Sequence, residues 1–274
     1  MPDDSSCLST RLPVTVCMIA GSEATRIKRA LDSVSSWAAE IIVVLNEDVT
    51  DGTDKIAIGC GAKVFREPWK GHIAQKNSAA EKATQEWLFG LDADEEVTVA
   101  LRTEVIRKLK ALSPDPTVAA FSMPRCSFYC GRWLRHGDWY PDRKVRLWRK
   151  GAAVWAGKNP HDKLVVTGSV QRLRGDLLHY SMNSLEHHAR KAVAYGKIFA
   201  EQYHANGSTI GAFSLWMRPA WRFMRSYIIR LGFLDGWQGF AVAKLIAFET
   251  FIRYAKVREI QQSKNSLARG NSST

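Results

Sequence analysis

The 274-residue sequence predicts an α/β fold with a mainly parallel central sheet and a C-terminal amphipathic helical extension. Two observations predict this fold. Short apolar runs recur through the first half of the chain, and amphipathic helical patterns lie between them. The apolar runs are VTVCMI (14–19), IIVVL (41–45), AKVF (62–65), WLFGL (87–91) and VAAFSM (118–123). Strands that alternate with helices favour βαβ units, in which the parallel strands are buried on both faces.

Two of the helical patterns are well defined. Apolar residues recur at steps of three and four in each, namely Ile27, Leu31 and Val34 in the first and Leu101, Val105, Leu109 and Leu112 in the second. In open α/β sheets, ligands bind beyond the carboxyl ends of the strands. The residues that follow each apolar run are therefore the first candidates for a functional site.

The chain changes character after residue 123. Residues 124–180 are rich in Arg, Trp, Gly and Tyr, and we interpret them as loops and short antiparallel strands that complete the same domain. A helix is expected from about 184, with Asn183 as its cap and Glu186 at the third position. The predicted segments are a polar leader (1–12), the α/β domain (13–205), the amphipathic extension (206–260) and a disordered tail (261–274).

The extension combines aromatic residues with Arg and Lys at steps of about three to five, and LGFLDGWQG (231–239) predicts a turn between two helical halves. One interpretation is a pair of helices packed in a core. The other is a pair lying in a membrane interface, with aromatic side chains toward the lipid and cations toward the phosphates. We expect the second arrangement, with an anionic membrane surface as partner.

Charge is unevenly distributed along the chain. The formal net charge is +12, yet the first 124 residues are mildly acidic. Lys and Arg outnumber Asp and Glu by 12 to 3 in residues 125–175 and by 8 to 3 in residues 211–260. Basic blocks of this kind attract phosphate groups on nucleic acids, nucleotides or anionic lipids.

The cysteines and the N-terminus indicate a cellular compartment. The five cysteines, at 7, 17, 60, 126 and 130, are odd in number and lack the paired spacing of a zinc site. We expect reduced thiols. The start, MPDDSSCLSTRLP, has neither the basic nor the apolar region of a signal peptide, and no run approaches the ~18–20 apolar residues of a spanning helix. We expect a cytoplasmic protein, peripheral on the inner face of the cytoplasmic membrane.

The turn LDADEE (91–96) places four acids in five positions directly after an apolar run. Like charges repel most where water is scarce, so the cluster needs an explanation. A hard divalent cation, Mg²⁺ or Mn²⁺, would supply one, because it binds carboxylates and bridges them to substrate phosphates. The alternative is a solvated acidic turn before a helix near Thr98, since acids favour helix N-termini.

The first 110 residues resemble the family 2 glycosyltransferases, which are inverting enzymes that use nucleotide sugars. The resemblance is carried by IAGSEATRIKRALDS, LNEDVTDGT, WKGHIAQKNSA and LDADEE, which occur in the family's order. It implies a single Rossmann-like nucleotide-sugar-binding domain of the GT-A type. The donor-binding candidates that it implies are Ala20, Glu23, Asn46, Asp51, Gln75, Lys76, Asn77 and Asp92. It also implies a metal held by Asp92 and Asp94, with Asp94 as the direct ligand and Asp92 nearer the ribose.

This chain departs from the family pattern at two of these positions. Ser22 precedes Glu23 where the family has Asn, and Asn46 stands where the usual Asp contacts the base. An amide can still accept a hydrogen bond from a uracil ring N–H.

A narrower resemblance covers most of the chain. The stretches GRWLRHGDWYPDRKVRLWRKG (131–151), NPHDKL (159–164), LLHYS (177–181) and FLDGWQGF (233–240) are similar to the lipopolysaccharide core β-glucosyltransferases. This resemblance implies a UDP-glucose donor and a lipid-linked or lipopolysaccharide-core saccharide as acceptor. The subfamily usually has Glu after the His of the second stretch, whereas this chain has Asp162.

The expected reaction needs a carboxylate that takes the proton from the acceptor hydroxyl. Asp162 is the first candidate for this general base and Asp142 the second. Each could instead be a structural aspartate that anchors Arg143 or Arg146. His161 would orient Asp162 or bind phosphate.

Arg143, Arg146 and Arg149 recur at every third residue. One or two of them facing the site, with Arg146 as the candidate, would clamp the donor diphosphate or an anionic acceptor, because guanidinium binds phosphate bidentately. His179 is a further candidate near the diphosphate.

Three other functions compete with this interpretation. A nucleic-acid binder would explain the basic blocks but not the acid cluster, and we expect no nucleic-acid partner. A metal-dependent phosphoester hydrolase could use an Asp-x-Asp after a strand, but it has no use for the Gln-Lys-Asn segment. A non-catalytic membrane adaptor on a transferase scaffold is the third alternative.

Overall fold

The computed structural model describes residues 11–111, 117–158, 161–182, 184–205, 210–211 and 213–270. The side chains of 158, 161, 182, 204, 205 and 263–270 lie outside this description. The chain divides into two compact units. One contains the described residues as far as Arg125 together with Arg143–His179, and the other contains Cys126–Asp142 and the described residues from Tyr180 onward.

The described strands are numbered in chain order. They are β1 (Leu12–Ala20), β2 (Ala38–Asn46), β3 (Lys63–Glu67), β4 (Trp87–Gly90), β5 (Glu95–Val97), β6 (Val118–Tyr129), β7 (Arg132–Trp133), β8 (Asp142–Arg149), β9 (Ala153–Lys158), β10 (His161–Val166), β11 (Ser169–Arg172) and β12 (Leu177–Met182). The described α-helices are α1 (Ile27–Ser35), α2 (Thr53–Gly59), α3 (His72–Glu81), α4 (Val99–Ala111), α5 (Leu185–Ala205), α6 (Ser214–Met224) and α7 (Gly236–Gly270).

The sheet of the first unit has the strand order β3-β2-β1-β4-β8-β6-β12-β5. Strands β1 to β4 are mutually parallel, because β1 pairs in parallel with both β2 and β4, and β2 pairs in parallel with β3. The other half is mixed, with β8 antiparallel to β4 and β12 antiparallel to β5. The predicted α/β class with a mainly parallel core is therefore confirmed, as are the antiparallel strands predicted after residue 123.

Hydrophobic burial explains why these segments form their elements. β4 is buried along its whole length, and β1 and β2 are buried at nearly every position. The predicted apolar faces of the helices are buried as well, at Ile27, Leu31 and Val34 in α1 and at Leu101, Val105 and Leu109 in α4. Leu112, predicted on the same face, lies outside the described residues. Burial of such side chains contributes about 1.5–3 kcal/mol each.

The second unit contains α5, α6 and α7, of which α7 packs against both of the others. Gly196 of α5 lies where an added Cβ would come within 2.5 Å of Ile252 Cγ2 of α7. Glycine therefore permits the close approach of these two helices. The predicted cap of α5, Asn183, lies outside the described residues.

The predicted turn between the two helical halves of the extension is present. After α6 the chain forms a single π-helical turn, Arg225–Ile229, and a 3₁₀ turn, Gly232–Asp235, before α7 begins. The helix α7 continues to Gly270, so residues 261–270 are helical although sequence analysis places them in a disordered tail. Gln, Lys, Leu, Ala and Arg within that stretch are favourable helix formers. Over the described residues, no helix is both long and apolar enough to cross a bilayer.

His188 lies in a buried aromatic cluster of the second unit, and its Nδ1 is 3.1 Å from the hydroxyl of Tyr129. Burial and the charges of Lys191 and His187 lower its pKa from 6.5 to about 4. Between these values the unfolded chain takes up a proton on this ring and the folded chain does not. Stability should therefore fall as the pH drops through this window.

We expect His188 to account for about 2 kcal/mol of stability lost between pH 7 and pH 5. Urea unfolding at the two pH values should show this loss in the wild type. It should be largely absent in His188→Asn and retained in the control His187→Asn, whose side chain is exposed. An equal pH dependence in all three proteins would contradict the assignment.

Candidate active site

The acid cluster lies at the carboxyl end of β4, in the first unit. β4 pairs with β1 and β8, so Asp92 follows a central strand. The turn is closed by two hydrogen bonds. The Glu95 backbone N–H donates to the Asp92 carbonyl at 2.9 Å, and the Asp92 N–H donates to the Glu95 carboxylate at 3.1 Å. The second of these bonds fixes the Glu95 carboxylate against the backbone of Asp92.

Two cations neutralise Asp92. Lys76 Nζ lies 3.2 Å from Asp92 Oδ1, and Arg146 Nη2 lies 2.5 Å from Oδ2. Burial disfavours the charged carboxylate, but Arg146 and Lys76 outweigh this effect and hold the pKa of Asp92 well below its usual range. The same pairing raises the pKa of the buried Arg146, against the opposing effect of its own burial. The repulsion within the acid cluster is thus relieved by side chains of the protein itself.

Glu95 is the second anion that Arg146 contacts, although it is not among the site residues predicted from the sequence. Its carboxylate is fully buried and lies 2.6 Å from Arg146 Nη2 and 3.4 Å from Arg125 Nη1. The only signal in the sequence is its position three residues after Asp92. A buried charge requires a partner of opposite sign. Arg146 is that partner for Glu95 as well as for Asp92.

Asp94 has a different environment from Asp92. Its Oδ2 lies 3.5 Å from His179 Nε2, and His179 stands opposite Glu95 in the β12–β5 pairing. Burial would raise the pKa of Asp94, but the hydrogen bond and charge of His179 lower it overall. Within the described part of the chain, the other ring nitrogen of His179 is buried without a hydrogen-bond partner.

Lys76 also binds Asp162, the first candidate for the general base. Its Nζ lies 2.9 Å from Asp162 Oδ2, so a single ammonium bridges Asp92 and Asp162. The Trp155 ring lies beneath it, with the ring centroid 4.6 Å from Nζ. The Asn77 amide holds the backbone of Trp155 through two 2.9 Å hydrogen bonds. No sequence pattern indicated Trp155.

The predicted donor-binding residues of the first two strand ends are also close together. The Glu23 N–H donates to Thr53 Oγ1 at 2.9 Å, and the Ala24 N–H donates to Asp51 Oδ2 at 3.1 Å. Burial raises the pKa of Glu23. Arg26 opposes the rise, and the nearby charges of Asp94 and Asp51 add to it. Glu23 therefore lies within electrostatic reach of both Asp94 and Asp51.

Three further donor-binding candidates are Ala20, Asn46 and Gln75, the last of which lies buried in α3. Ala20 ends β1, and Asn46 ends β2. Among the described residues, Asn46 Oδ1 and both polar atoms of the Gln75 amide are buried without a hydrogen-bond partner. Buried amide groups without partners are rare in folded proteins. These two side chains could accept or donate hydrogen bonds to a ligand.

The three arginines predicted at every third position of β8 do not share a face. Side chains alternate along a strand, so Arg143 and Arg149 point to one side and Arg146 to the other. Arg143 donates to the carbonyls of Ser122 and Leu173, and Arg149 pairs with Glu86. Arg146 alone of the three contacts Asp92.

Two candidates are not placed at the site by the structure. Asp142 begins β8 but belongs to the second compact unit. The side chain of His161 lies outside the described residues. Their roles stay predictions.

The donor set fits a metal ion only in part. Among the described residues, no group of three or more His, Cys, Asp or Glu is arranged to hold a metal. Both oxygens of Asp92 face cations of the protein, which leaves Asp94 as the available carboxylate of the pair, beside His179. Mg²⁺ commonly uses one or two carboxylates and takes its remaining ligands from water and substrate phosphates. Asp94 fits that use, whereas Asp92 does not.

Comparison with known proteins identifies similar chains. The family model described as glycosyl transferase family 2 matches residues 15–174. A protein of Rickettsia typhi described as an uncharacterized glycosyltransferase is 32% identical over 268 residues, which cover 94% of this chain and 91% of that protein. The lipopolysaccharide core biosynthesis glycosyltransferase LpsC of Rhizobium meliloti is 28% identical over 254 residues, 90% of this chain and 92% of LpsC. A crystal structure of S. aureus TarS 1–349 in complex with UDP-GlcNAc matches with a TM-score of 0.47 at 14% identity, over 92% of each chain.

Proposed function

Because this chain belongs to the family 2 glycosyltransferases, we propose that it transfers a hexose, glucose, from a UDP-sugar to a saccharide hydroxyl. The proposed acceptor is a lipid-linked or lipopolysaccharide-core saccharide, since the similar protein LpsC is described as a lipopolysaccharide core biosynthesis glycosyltransferase. The observation that carries the proposal is the Lys76 bridge. It joins the acid turn, where the donor would bind, to a second carboxylate 70 residues away from that turn in the chain.

The reaction is a displacement at the anomeric carbon. Asp162 takes the proton of the acceptor hydroxyl, whose oxygen forms the new bond to that carbon as the bond to the diphosphate breaks. Asp162 is the base in this proposal because its carboxylate is partly exposed and paired with Lys76. The other candidate base is Asp142, and His161 is proposed to orient Asp162.

Lys76 and Arg146 provide the positive charge on the donor side. The leaving diphosphate develops negative charge, which preorganised cations stabilise in a site of low water content. Lys76 is 13% exposed and Arg146 is 5% exposed, so both charges are largely desolvated. A diphosphate would compete with Asp162 for Lys76 and so release the base.

The remaining donor contacts are proposed from the strand ends. Asn46 and Gln75 offer buried amide groups for the base and ribose, together with Ala20, Glu23, Asp51 and Asn77. Asp92 lies nearer the ribose in this proposal. Mg²⁺ or Mn²⁺ would be held by Asp94 and the donor phosphates, with His179 beside them, and would act as a Lewis acid toward the leaving group.

The second unit is proposed to attach the enzyme to the inner face of the cytoplasmic membrane. Large apolar side chains of α6, the following turns and the start of α7 are exposed, including Trp216, Trp221 and Trp237 at 76%, 58% and 58%. Exposed apolar surface of this extent marks an interaction site.

We expect Mn²⁺ to increase the thermal stabilisation that UDP-glucose gives the wild-type protein, and Asp94→Asn to remove the increase. A ligand at a hundred times its dissociation constant stabilises the folded state by about 2.7 kcal/mol. Thermal melts with UDP-glucose, with and without Mn²⁺, measure the effect, and UDP release in the presence of an acceptor measures transfer.

Asp32→Asn is the control, since Asp32 is an exposed residue of α1 that pairs with Lys28. Transfer at the wild-type rate by Asp94→Asn would remove the metal role from this residue. Binding of UDP-glucose without transfer to any saccharide would favour the non-catalytic adaptor.

A further inference from the structure

Three arginines of the second unit surround one buried aspartate. Asp138 lies in the 3₁₀ turn Gly137–Trp139, and its side chain is 5% exposed. Arg222 Nη1 lies 3.0 Å from Asp138 Oδ2, and Nε of Arg225 and of Arg230 lie 3.5 and 3.4 Å from Oδ1. We call Arg222, Arg225 and Arg230 the arginine cluster.

Asp138 neutralises only part of the positive charge of the arginine cluster and does not occupy all of its N–H donors. One carboxylate opposes three guanidinium groups, which leaves two positive charges uncompensated within this group. Within the described chain, neither oxygen of Asp138 has a hydrogen bond of good geometry. Each guanidinium carries five N–H donors, and these side chains are 36%, 35% and 42% exposed. All three arginine side chains are therefore partly accessible from solvent.

The backbone around the cluster is held in place. The Asp138 N–H donates to Ser226 Oγ at 3.3 Å, and the Gly137 N–H donates to the Arg230 carbonyl at 2.8 Å. The turn that carries Asp138 is thereby tied to the middle and to the C-terminal end of the segment that carries the arginines. The three guanidiniums converge before any ligand arrives, which lowers the ordering cost of binding one.

Exposed apolar side chains border the cluster. Trp221, Met224 and Ile228 recur at helical steps of three and four and are 58%, 47% and 45% exposed. Trp221 and Met224 directly precede Arg222 and Arg225 in the chain, and Ile228 lies two positions before Arg230. A stripe of exposed apolar side chains therefore accompanies the arginines along this segment. A free anion has no use for this stripe, whereas a phospholipid presents a phosphate directly above an apolar layer.

We propose that the arginine cluster binds the headgroup phosphate of an anionic phospholipid while the bordering stripe enters the lipid interface. The proposal rests on the membrane attachment proposed above and makes it specific, since it names the residues that read lipid charge. Arginine suits this task because its planar fork binds phosphate bidentately. Asp138 is the positioning residue that gathers the guanidiniums.

Vesicle sedimentation of the full chain tests the proposal. Vesicles of phosphatidylcholine alone are compared with vesicles that contain phosphatidylglycerol. The double variant Arg222→Gln/Arg230→Gln should lose on the order of 30-fold in partitioning onto phosphatidylglycerol vesicles, since each basic residue near such a surface contributes about five-fold. The double variant should keep the weaker binding to phosphatidylcholine vesicles that the wild type shows. The control Arg190→Gln removes one exposed arginine of the same unit and should lose less than either single variant of the cluster.

The possible results distinguish lipid binding by the arginine cluster from the membrane attachment of the second unit. Wild-type binding that is equal on both vesicle types, or a double variant that matches the wild type on phosphatidylglycerol, would overturn the cluster and leave the attachment standing. No wild-type binding to either vesicle would overturn both. Competition by millimolar inorganic phosphate would show a general anion site and overturn the lipid assignment. If the double variant unfolds, Arg222→Lys/Arg230→Lys replaces it. This variant keeps both positive charges but loses the planar guanidinium that binds phosphate bidentately. A partial loss of its binding to phosphatidylglycerol vesicles, with unchanged binding to phosphatidylcholine vesicles, would support the proposal.

Discussion

Asp162→Asn should lower the rate of sugar transfer by roughly 10²–10⁴-fold, the usual contribution of a positioned general base. The amide has nearly the same shape but cannot take up the proton of the acceptor hydroxyl. Donor affinity should stay within a few-fold of wild type, because the Lys76 bridge keeps its other anion, Asp92. Initial rates of UDP release with a saccharide acceptor, together with donor binding by calorimetry, measure the two effects separately.

Asp142→Asn provides the matched comparison, since it makes the same chemical change at the second candidate. A large loss in Asp142→Asn with near-normal activity in Asp162→Asn would transfer the base role to Asp142. Similar losses at both positions with unchanged donor binding would mean that neither assignment alone is sufficient.

Arg146→Met should destabilise the protein by about 3–5 kcal/mol, because it leaves the buried carboxylate of Glu95 and the half-buried carboxylate of Asp92 without their shared cation. Methionine fills much of the volume, so the cost is mainly electrostatic. The thermal midpoint should fall by roughly 10 °C, and donor binding should be lost. Denaturant unfolding followed by circular dichroism measures the stability.

Arg149→Met is the control on the same strand. Arg149 pairs with the exposed Glu86 and stacks on Trp87, and exposed pairs contribute about 0–1 kcal/mol. Equal destabilisation by the two variants would show that the buried position of Arg146 has no special importance. A stable Arg146→Met that still binds the donor would contradict the site itself.

Much of the fold is readable from the sequence because its signals are local. The five apolar runs become β1, β2, β3, β4 and β6, and the predicted apolar faces of α1 and α4 are buried. Alternation of short apolar strands with amphipathic helices depends only on neighbouring residues. The carboxyl ends of the parallel strands meet at one edge, which singles out the turn after β4. The grouping of Glu23 and Asp51 with Asp92 came instead from the resemblance to the family 2 glycosyltransferases.

The internal arrangement of the site was not readable in the same way. Asp92 and Asp94 look equivalent in the sequence, yet one faces Lys76 and Arg146 and the other faces His179. These partners come from α3, β8 and β12, and no local pattern states which of them reaches which carboxylate. Glu95 was overlooked for the same reason, since its importance depends on burial against Arg146.

In the extension, too, some features could be predicted from the sequence and others could not. Its amphipathic character and its turn follow from composition and spacing. The arginine cluster does not, because Asp138 lies more than 80 residues before Arg222 in the chain. Only the folded second unit brings the carboxylate and the three guanidiniums together.

The amide of Asn77 has a mechanical consequence. By accepting from the N–H of Trp155 and donating to its carbonyl, this side chain imitates an adjacent strand and fastens α3 to β9. β9 in turn forms a hairpin with β10, where Asp162 faces Gly157. Any tilt of α3 would therefore carry the hairpin with it, and the spacing between Lys76 and Asp162 would survive movements that a loosely tethered loop could not follow.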